Sequence, residues 1–279
     1  MSNLTKFLLV IFCIGAVNFL LLANEKAEPN FILGLACAKN EDYAEAVKWF
    51  RKAAEQGHAG AQFFLALCYN NGDGVRKDHA EAAKWYKKAA IQGIADAQHS
   101  LAACYYNGSG VRKDHAEAAK WFRKAAEQGH AEAQRGLAVC YYNGFGVEKD
   151  HAEAAKWFRK AAEQGIADAQ HSLAVCYYNG FGVEKDYTEV VKWSRKAAEQ
   201  GHSLAQGLLG ECYETGRGMK REDLAEAVKW FRKAAEQGNV KAQVSLGACY
   251  LKEAIKCLKK AAEQGDEEAK TMLRSLGVQ

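Results

Sequence analysis

Between residues 80 and 90 the apolar side chains Ala82, Trp85, Tyr86, Ala89 and Ala90 fall at i, i+3, i+4, i+7 and i+8, the spacing of a helix with one buried face. Asp78 stands just before this stripe with Glu81 three residues on, a capping-box arrangement in which each side chain can satisfy an orphan amide of the first turn. Gly93 follows the stripe and supplies the left-handed residue that stops a helix. A second stripe, Ile94, Ala97, Leu101, Ala102, Cys104 and Tyr105, covers residues 94–106 and runs out at Asn107-Gly108. The pattern therefore predicts two short helices, called B (80–90) and A (94–106), each apolar on one face.

This pattern repeats. Trp49, Trp85, Trp121, Trp157, Trp193 and Trp230 are spaced by 36, 36, 36, 36 and 37 residues, the extra residue falling in the stretch GRGMKRED. The tag KAAEQG, or KAAIQG once, ends at Gly57, Gly93, Gly129, Gly165, Gly201, Gly238 and Gly265, which makes seven units with the first and last short. A two-helix hairpin cannot bury its stripe alone, so successive hairpins must stack. The expected fold is all-α, an α/α superhelical solenoid of stacked antiparallel helix pairs over residues 31–265. Residues 24–30 read as a linker and 266–279 as a C-terminal capping helix. Unit seven lacks the glycine loop between its helices. With good helix formers throughout 248–262, one continuous helix through Tyr250 and Lys252 is expected in preference to a tight turn.

The pattern L-A/G-x-C-Y-x-x-G-x-G-V-x-K-D, then A-x-x-W-F/Y-x-K-A-A-x-x-G, with Ala-Gln opening helix A, resembles the Sel1-like repeat, a relative of the tetratricopeptide repeat with a longer loop. The resemblance covers residues 31–265. It implies an α/α superhelix that acts as an adaptor in protein assembly, found in bacterial exported proteins and in eukaryotic membrane-associated complexes. Unit one departs from it through the short loop AKNED, and unit seven through the loss of the loop.

The stretch LAVCYYNGFGVEKD occurs at 137–150 and again at 173–186, and its glycines invite a phosphate-loop reading. Phosphate loops follow a strand and run into a helix N-terminus; here helix A precedes, so the glycines are expected to make a turn, with Val147 and Val183 pinning it and Phe145 and Phe181 at its tip. One cysteine per unit, at Cys68, Cys104, Cys140, Cys176, Cys212 and Cys249, sits where a small apolar side chain is wanted. Equivalent positions in stacked units lie about 10 Å apart, beyond the roughly 7 Å a disulfide permits, so free buried thiols are expected. Cys257 stands in place of the repeat tryptophan, eight residues from Cys249; a bridge between these two is the one alternative to free thiols. Some exported relatives of this repeat class bridge two cysteines per repeat, whereas this chain has one, in a different place. His79, His115 and His151 follow the capping aspartates and read as solvated first-turn residues. Neither H-E-x-x-H nor C-x-x-C occurs, so no metal site is expected, and no catalytic residue or cofactor either. Some relatives bind or hydrolyse β-lactams. A hydrolase or binder of β-lactam or cell-wall fragments is the alternative function, although S-x-x-K, the usual serine nucleophile motif of that chemistry, is absent.

The formal net charge is +4, with both signs interspersed, so nucleic acid is not an expected partner. Lys6 precedes a run from 7 to 23 that is apolar except for Asn18, an export signal over residues 1–23 that is either cleaved or kept as a membrane tether. The protein is accordingly expected in the periplasm or secreted. Within the constant frame the units differ along the outer side of helix A. One row reads Phe63, His99, Arg135, His171, Gly207, Val244, and another Asn70, Tyr106, Tyr142, Tyr178, Glu214, Leu251. Solenoid curvature turns this side toward a groove. His99, Tyr106, Arg135, Tyr142, His171 and Tyr178 have the apolar bodies and polar tips favoured in binding hot spots, and they are the expected site for a protein or peptide partner of a noncatalytic scaffold.

Overall fold

The computed structural model describes residues 27–278, so the export segment predicted at 1–23 lies outside it. Fourteen helices and no strand are present among the described residues. The fold is all-α, an α/α solenoid of stacked antiparallel helix pairs, and it divides after Asp150 into two compact units. The first unit holds α1 (Glu28–Lys39), α2 (Tyr43–Glu55), α3 (Ala59–Asn71), α4 (His79–Ile91), α5 (Ala95–Asn107), α6 (His115–Glu127) and α7 (Ala131–Asn143). The second holds α8 (His151–Glu163), α9 (Ala167–Asn179), α10 (Tyr187–Glu199), α11 (Ser203–Thr215), α12 (Leu224–Glu236), α13 (Val240–Glu263) and α14 (Glu267–Ser275). Inside each unit every helix packs on the next in sequence, the arrangement that lets short amphipathic helices bury both flanks of their stripes.

The B helices α2, α4, α6, α10 and α12 start as the aspartate pattern demands, on Asp42, Asp78, Asp114, Asp186 and Asp223, but by half of the expected device. Asp114 Oδ1 accepts the amides of Ala116 and Glu117 at 2.9 and 3.0 Å. Glu117 does not reach back; it pairs forward with Lys120 at 2.6 Å. The reason is that the Asp114 N–H already donates to the Tyr105 carbonyl of helix A, at 2.9 Å. The capping box is thus replaced by a cap plus a helix-to-helix bond.

The glycine loop is architectural. Gly108 has φ +78° and its N–H closes α5 on the Cys104 carbonyl at 2.8 Å, as a left-handed cap should. Gly110 lies against the preceding helix B, where an added Cβ would stand 1.9 Å from the His79 carbonyl oxygen. The loop therefore also locks one hairpin to its predecessor. Its tip residues Phe145 and Phe181 are partly exposed, and they stack on His115 and His151 at ring-centroid distances of 4.9 and 5.0 Å. This corrects the expectation that those histidines are solvated, because a flat imidazole beside the loop gives the phenyl ring a partner. His79 is exposed.

Tryptophan occupies the rim of the stripe. Trp85, Trp121, Trp193 and Trp230 are buried, while Trp49 and Trp157 are half-buried. A lysine three residues on covers each outer face, as Lys88 does over Trp85 at 3.8 Å and Lys124 over Trp121 at 4.2 Å, a cation–π lid over an otherwise wetted indole. Cys68, Cys104, Cys140, Cys176, Cys212 and Cys249 are free and buried. Burial pushes the thiol of Cys68 up to about 12 and those of Cys104, Cys140 and Cys176 up to about 11. The pairing of Cys249 with Cys257 is ruled out by α13, which is unbroken from Val240 to Glu263. Eight residues along a helix separate the two by about 12 Å.

A candidate binding edge along the A helices

Buried glutamines fix the position of each A helix. The Gln98 amide nitrogen donates to the Ala90 carbonyl of the preceding B helix at 3.0 Å, and its oxygen accepts from Gln128 beyond the following B helix at 2.7 Å. Gln62 and Gln206 do the same with Ala54 and Gln92, and with Ala198 and Gln237. A second connection runs from arginine on helix B to a tyrosine hydroxyl on the next helix A, as in Arg123 to Tyr141 at 2.7 Å and Arg195 to Tyr213 at 2.7 Å. Sequence reasoning missed both roles. The recurring Ala-Gln and Glu-Gln-Gly signatures were the available signal for the first.

On this frame the expected site residues are half-buried, and His99, Tyr106, His171 and Tyr178 meet other rings. In the first unit His99 stacks on His130 at 4.7 Å and 20°, and lies 5.8 Å from the Phe122 ring. Tyr106 shares the same Phe122, edge-on at 6.3 Å, and also meets His115 and Phe145 edge-on at 5.1 and 6.0 Å. Arg135 Nε donates to Glu132 Oε2 at 2.8 Å. His99, Tyr106 and Arg135 therefore form one neighbourhood. Tyr142 is half-buried further along α7. In the second unit His171 stacks on His202 at 4.7 Å and 29°. Tyr178 is occupied differently: its hydroxyl donates to Glu211 at 2.6 Å and accepts from Arg217 at 3.2 Å.

The histidine stacks have a definite tautomer. His130 Nδ1 accepts the Ala133 amide as the N-cap of α7, so its proton sits on Nε2, 3.3 Å from Asp96 Oδ1. His202 repeats this with Ala205 and Asp168 at 3.2 and 3.3 Å, and His58 with Ala61 and Glu28, both at 3.0 Å. The intervening A helices begin with Ile94 and Ile166, which provide no side-chain cap. Burial first, and the adjoining imidazole second, lower His99 and His171 to about 4. At neutral pH the edge thus presents uncharged imidazoles, phenol hydroxyls and isolated ion pairs, which suit hydrogen bonding and stacking to a polypeptide.

Sel1 repeats match residues 33–58, 59–94, 95–130, 131–166, 167–202, 203–239 and 251–266. The chain belongs to the Sel1 repeat family. Among solved structures it is similar to a protective antigen present in uropathogenic Escherichia coli strains, at 39% identity and a TM-score of 0.77 over 90% of this chain and 56% of the other. It is likewise similar to a Sel1 repeat protein from Oxalobacter formigenes, at 36% identity and a TM-score of 0.72 over 79% of this chain and 88% of that one. The chain spans little more than half the length of the first of these. No protein of curated function matches it. Sel1 repeat proteins generally mediate protein–protein interaction, and the Sel1 match skips 240–250, the helix A half of α13.

Proposed function

We propose that this Sel1 repeat protein is an exported, noncatalytic scaffold whose A-helix edge grips an extended peptide or a helix of a partner protein. The observation that carries the reading is the contrast between the frame and the edge. Gln98, Leu101 and Cys104 are buried with their equivalents Gln134, Leu137, Cys140, Gln170, Leu173 and Cys176, whereas the positions of His99 and Tyr106 change from unit to unit within that frame. Aromatic residues with polar tips on a rigid frame lose little entropy on binding. Export rests on the basic and apolar pattern of residues 1–23, with residues 7–23 as the tether if the signal is retained; no helix among the described residues is long and apolar enough to cross a membrane.

The test is cross-linking capture from the cell envelope with Tyr106, Tyr142 and Tyr178 replaced together by alanine. Because Tyr106 packs on Phe122, capture is compared at a temperature where circular dichroism shows the variant folded. Loss of the partner is expected, with a smaller effect from replacing Phe145 and Phe181. The opposite ranking would move the interface to the loop edge.

A further inference from the structure

Unit seven keeps the residues of both helices but not the chain needed to fold one on the other. Cys104 and Trp121 are seventeen residues apart, while their equivalents Cys249 and Cys257 are eight apart. The first half of α13 reads as a helix A, with Asn239 capping the Ala242 amide and Ala242 and Cys249 buried. The second half, EAIKCLKKAAE, retains the helix B pattern of EAVKWFRKAAE at residues 226–236. Its stripe is Ala254, Ile255, Cys257, Leu258, Ala261 and Ala262. The corresponding residues of α6, namely Ala118, Ala119, Trp121, Phe122, Ala125 and Ala126, are all buried, and none of the six in α13 is. α14 packs on α13 through Ala269 and Leu273, in the place of a following helix A, and still leaves the stripe open.

The first half of α13 shows the matching vacancy. Gly34 and Gly210 hold the position of Gly247 in their own units, and an added Cβ there would meet Phe50 at 2.5 Å and Phe231 at 2.7 Å, the rings of their own B helices. Gly247 has nothing within 4 Å. Val244 and Leu251 beside it are 70% and 49% exposed. Leu258 stands where those phenylalanines stand, but on one straight helix it is eleven residues, about 16 Å, from Gly247. It cannot fill its own notch.

We infer that two copies of this chain exchange the halves of α13, the 253–263 segment of each docking into the Gly247 notch of the other. The pairing is isologous, since each copy gives the helix B segment and receives one, and a connection too short to turn back is the usual route to such swaps. Antiparallel α13 helices would restore in trans the helix A and helix B packing that α5 and α6 make in cis. The inference is independent of the A-helix partner proposed above.

The full chain, kept in nonionic detergent because of its apolar N-terminal segment, is tested in two ways. Copies carrying Gly247→Cys and copies carrying Leu258→Cys, both with Cys257→Ser, are coexpressed and oxidised with copper phenanthroline. A covalent dimer joining the two variants is expected, with neither variant alone forming it. Absence of the mixed product, or equal cross-linking of either variant by itself, overturns the swap. Inserting YNGSGVRKD, the sequence of residues 106–114, after Tyr250 restores the standard loop; light scattering should then show a monomer where the unmodified chain is a dimer. A monomeric unmodified chain across the micromolar range, or an insertion variant that stays dimeric, also overturns the proposal.

Discussion

Gln98, only 4% exposed, shows how one polar side chain can hold three helices. Replacing it with leucine keeps its bulk but strips the Ala90 carbonyl of its side-chain donor and the Gln128 amide of its acceptor. Orphaned buried polar groups cost about 1–3 kcal/mol, and Gln98→Leu should lower the urea midpoint accordingly, against little change for the exposed Gln264→Leu control at the end of α13. His99 and His171 make a second residue-scale prediction. Each is lowered to about 4 from the ordinary 6.5, so between those values the folded chain binds fewer protons than the unfolded one. Stability present above pH 6.5 is therefore lost as pH falls through this window. Asp96, His130, Glu132 and Arg135 act on His99, and His202 and Asp168 on His171. Urea midpoints measured from pH 7 to 4 should decline less steeply in His99→Phe/His171→Phe, a change the repeat already tolerates as Phe63. An identical slope would show that other groups carry the acid sensitivity.

At the scale of the element, the loop glycines do different jobs. Gly108 ends a helix, whereas Gly110 at φ +70° brings the loop against the His79 carbonyl of the previous hairpin. Gly110→Ala adds left-handed strain of roughly 1–2 kcal/mol and a backbone clash on top of it. It should destabilise by at least about 2 kcal/mol, more than the same change at Gly93, where an added Cβ meets nothing within 4 Å. Thermal melts of the two variants check the ranking. The phosphate-loop resemblance of NGFG fails for the same reason: the glycines are spent on a cap and a helix contact.

For the molecule as a whole, stability in stacked repeats is a sum over neighbours, so damage should stay local. Trp121→Ala removes a buried indole and the ring beneath Lys124, and should cost roughly 3–5 kcal/mol. The buried thiols report where that loss is felt. In rising denaturant, labelling of Cys104 and Cys140 should advance to lower concentration in this variant while Cys212 keeps its native profile. Simultaneous advance of all three would mean that the repeats unfold as one cooperative block. In the unaltered protein these thiols should resist labelling until unfolding begins.

The sequence alone determined the helix pairs, their period, the caps, the burial of the cysteines and the continuity of α13, because each depends on residues within a turn or two of one another or on a pattern that recurs in seven units. It also placed the variable edge of helix A. Only the tertiary structure decided what those residues touch. It paired Glu117 with Lys120 rather than the Asp114 amide, set His115 against Phe145, stacked His99 on His130 and gave the buried glutamines their carbonyl partners. Each of these contacts is chosen among several partners of similar chemistry by the distance between neighbouring helices, a quantity that periodicity does not contain. The unfilled place beside Gly247 is of the same kind: the missing loop is legible in the sequence, but the space it leaves is visible only when Gly34 and Gly210 show what fills it in their own units.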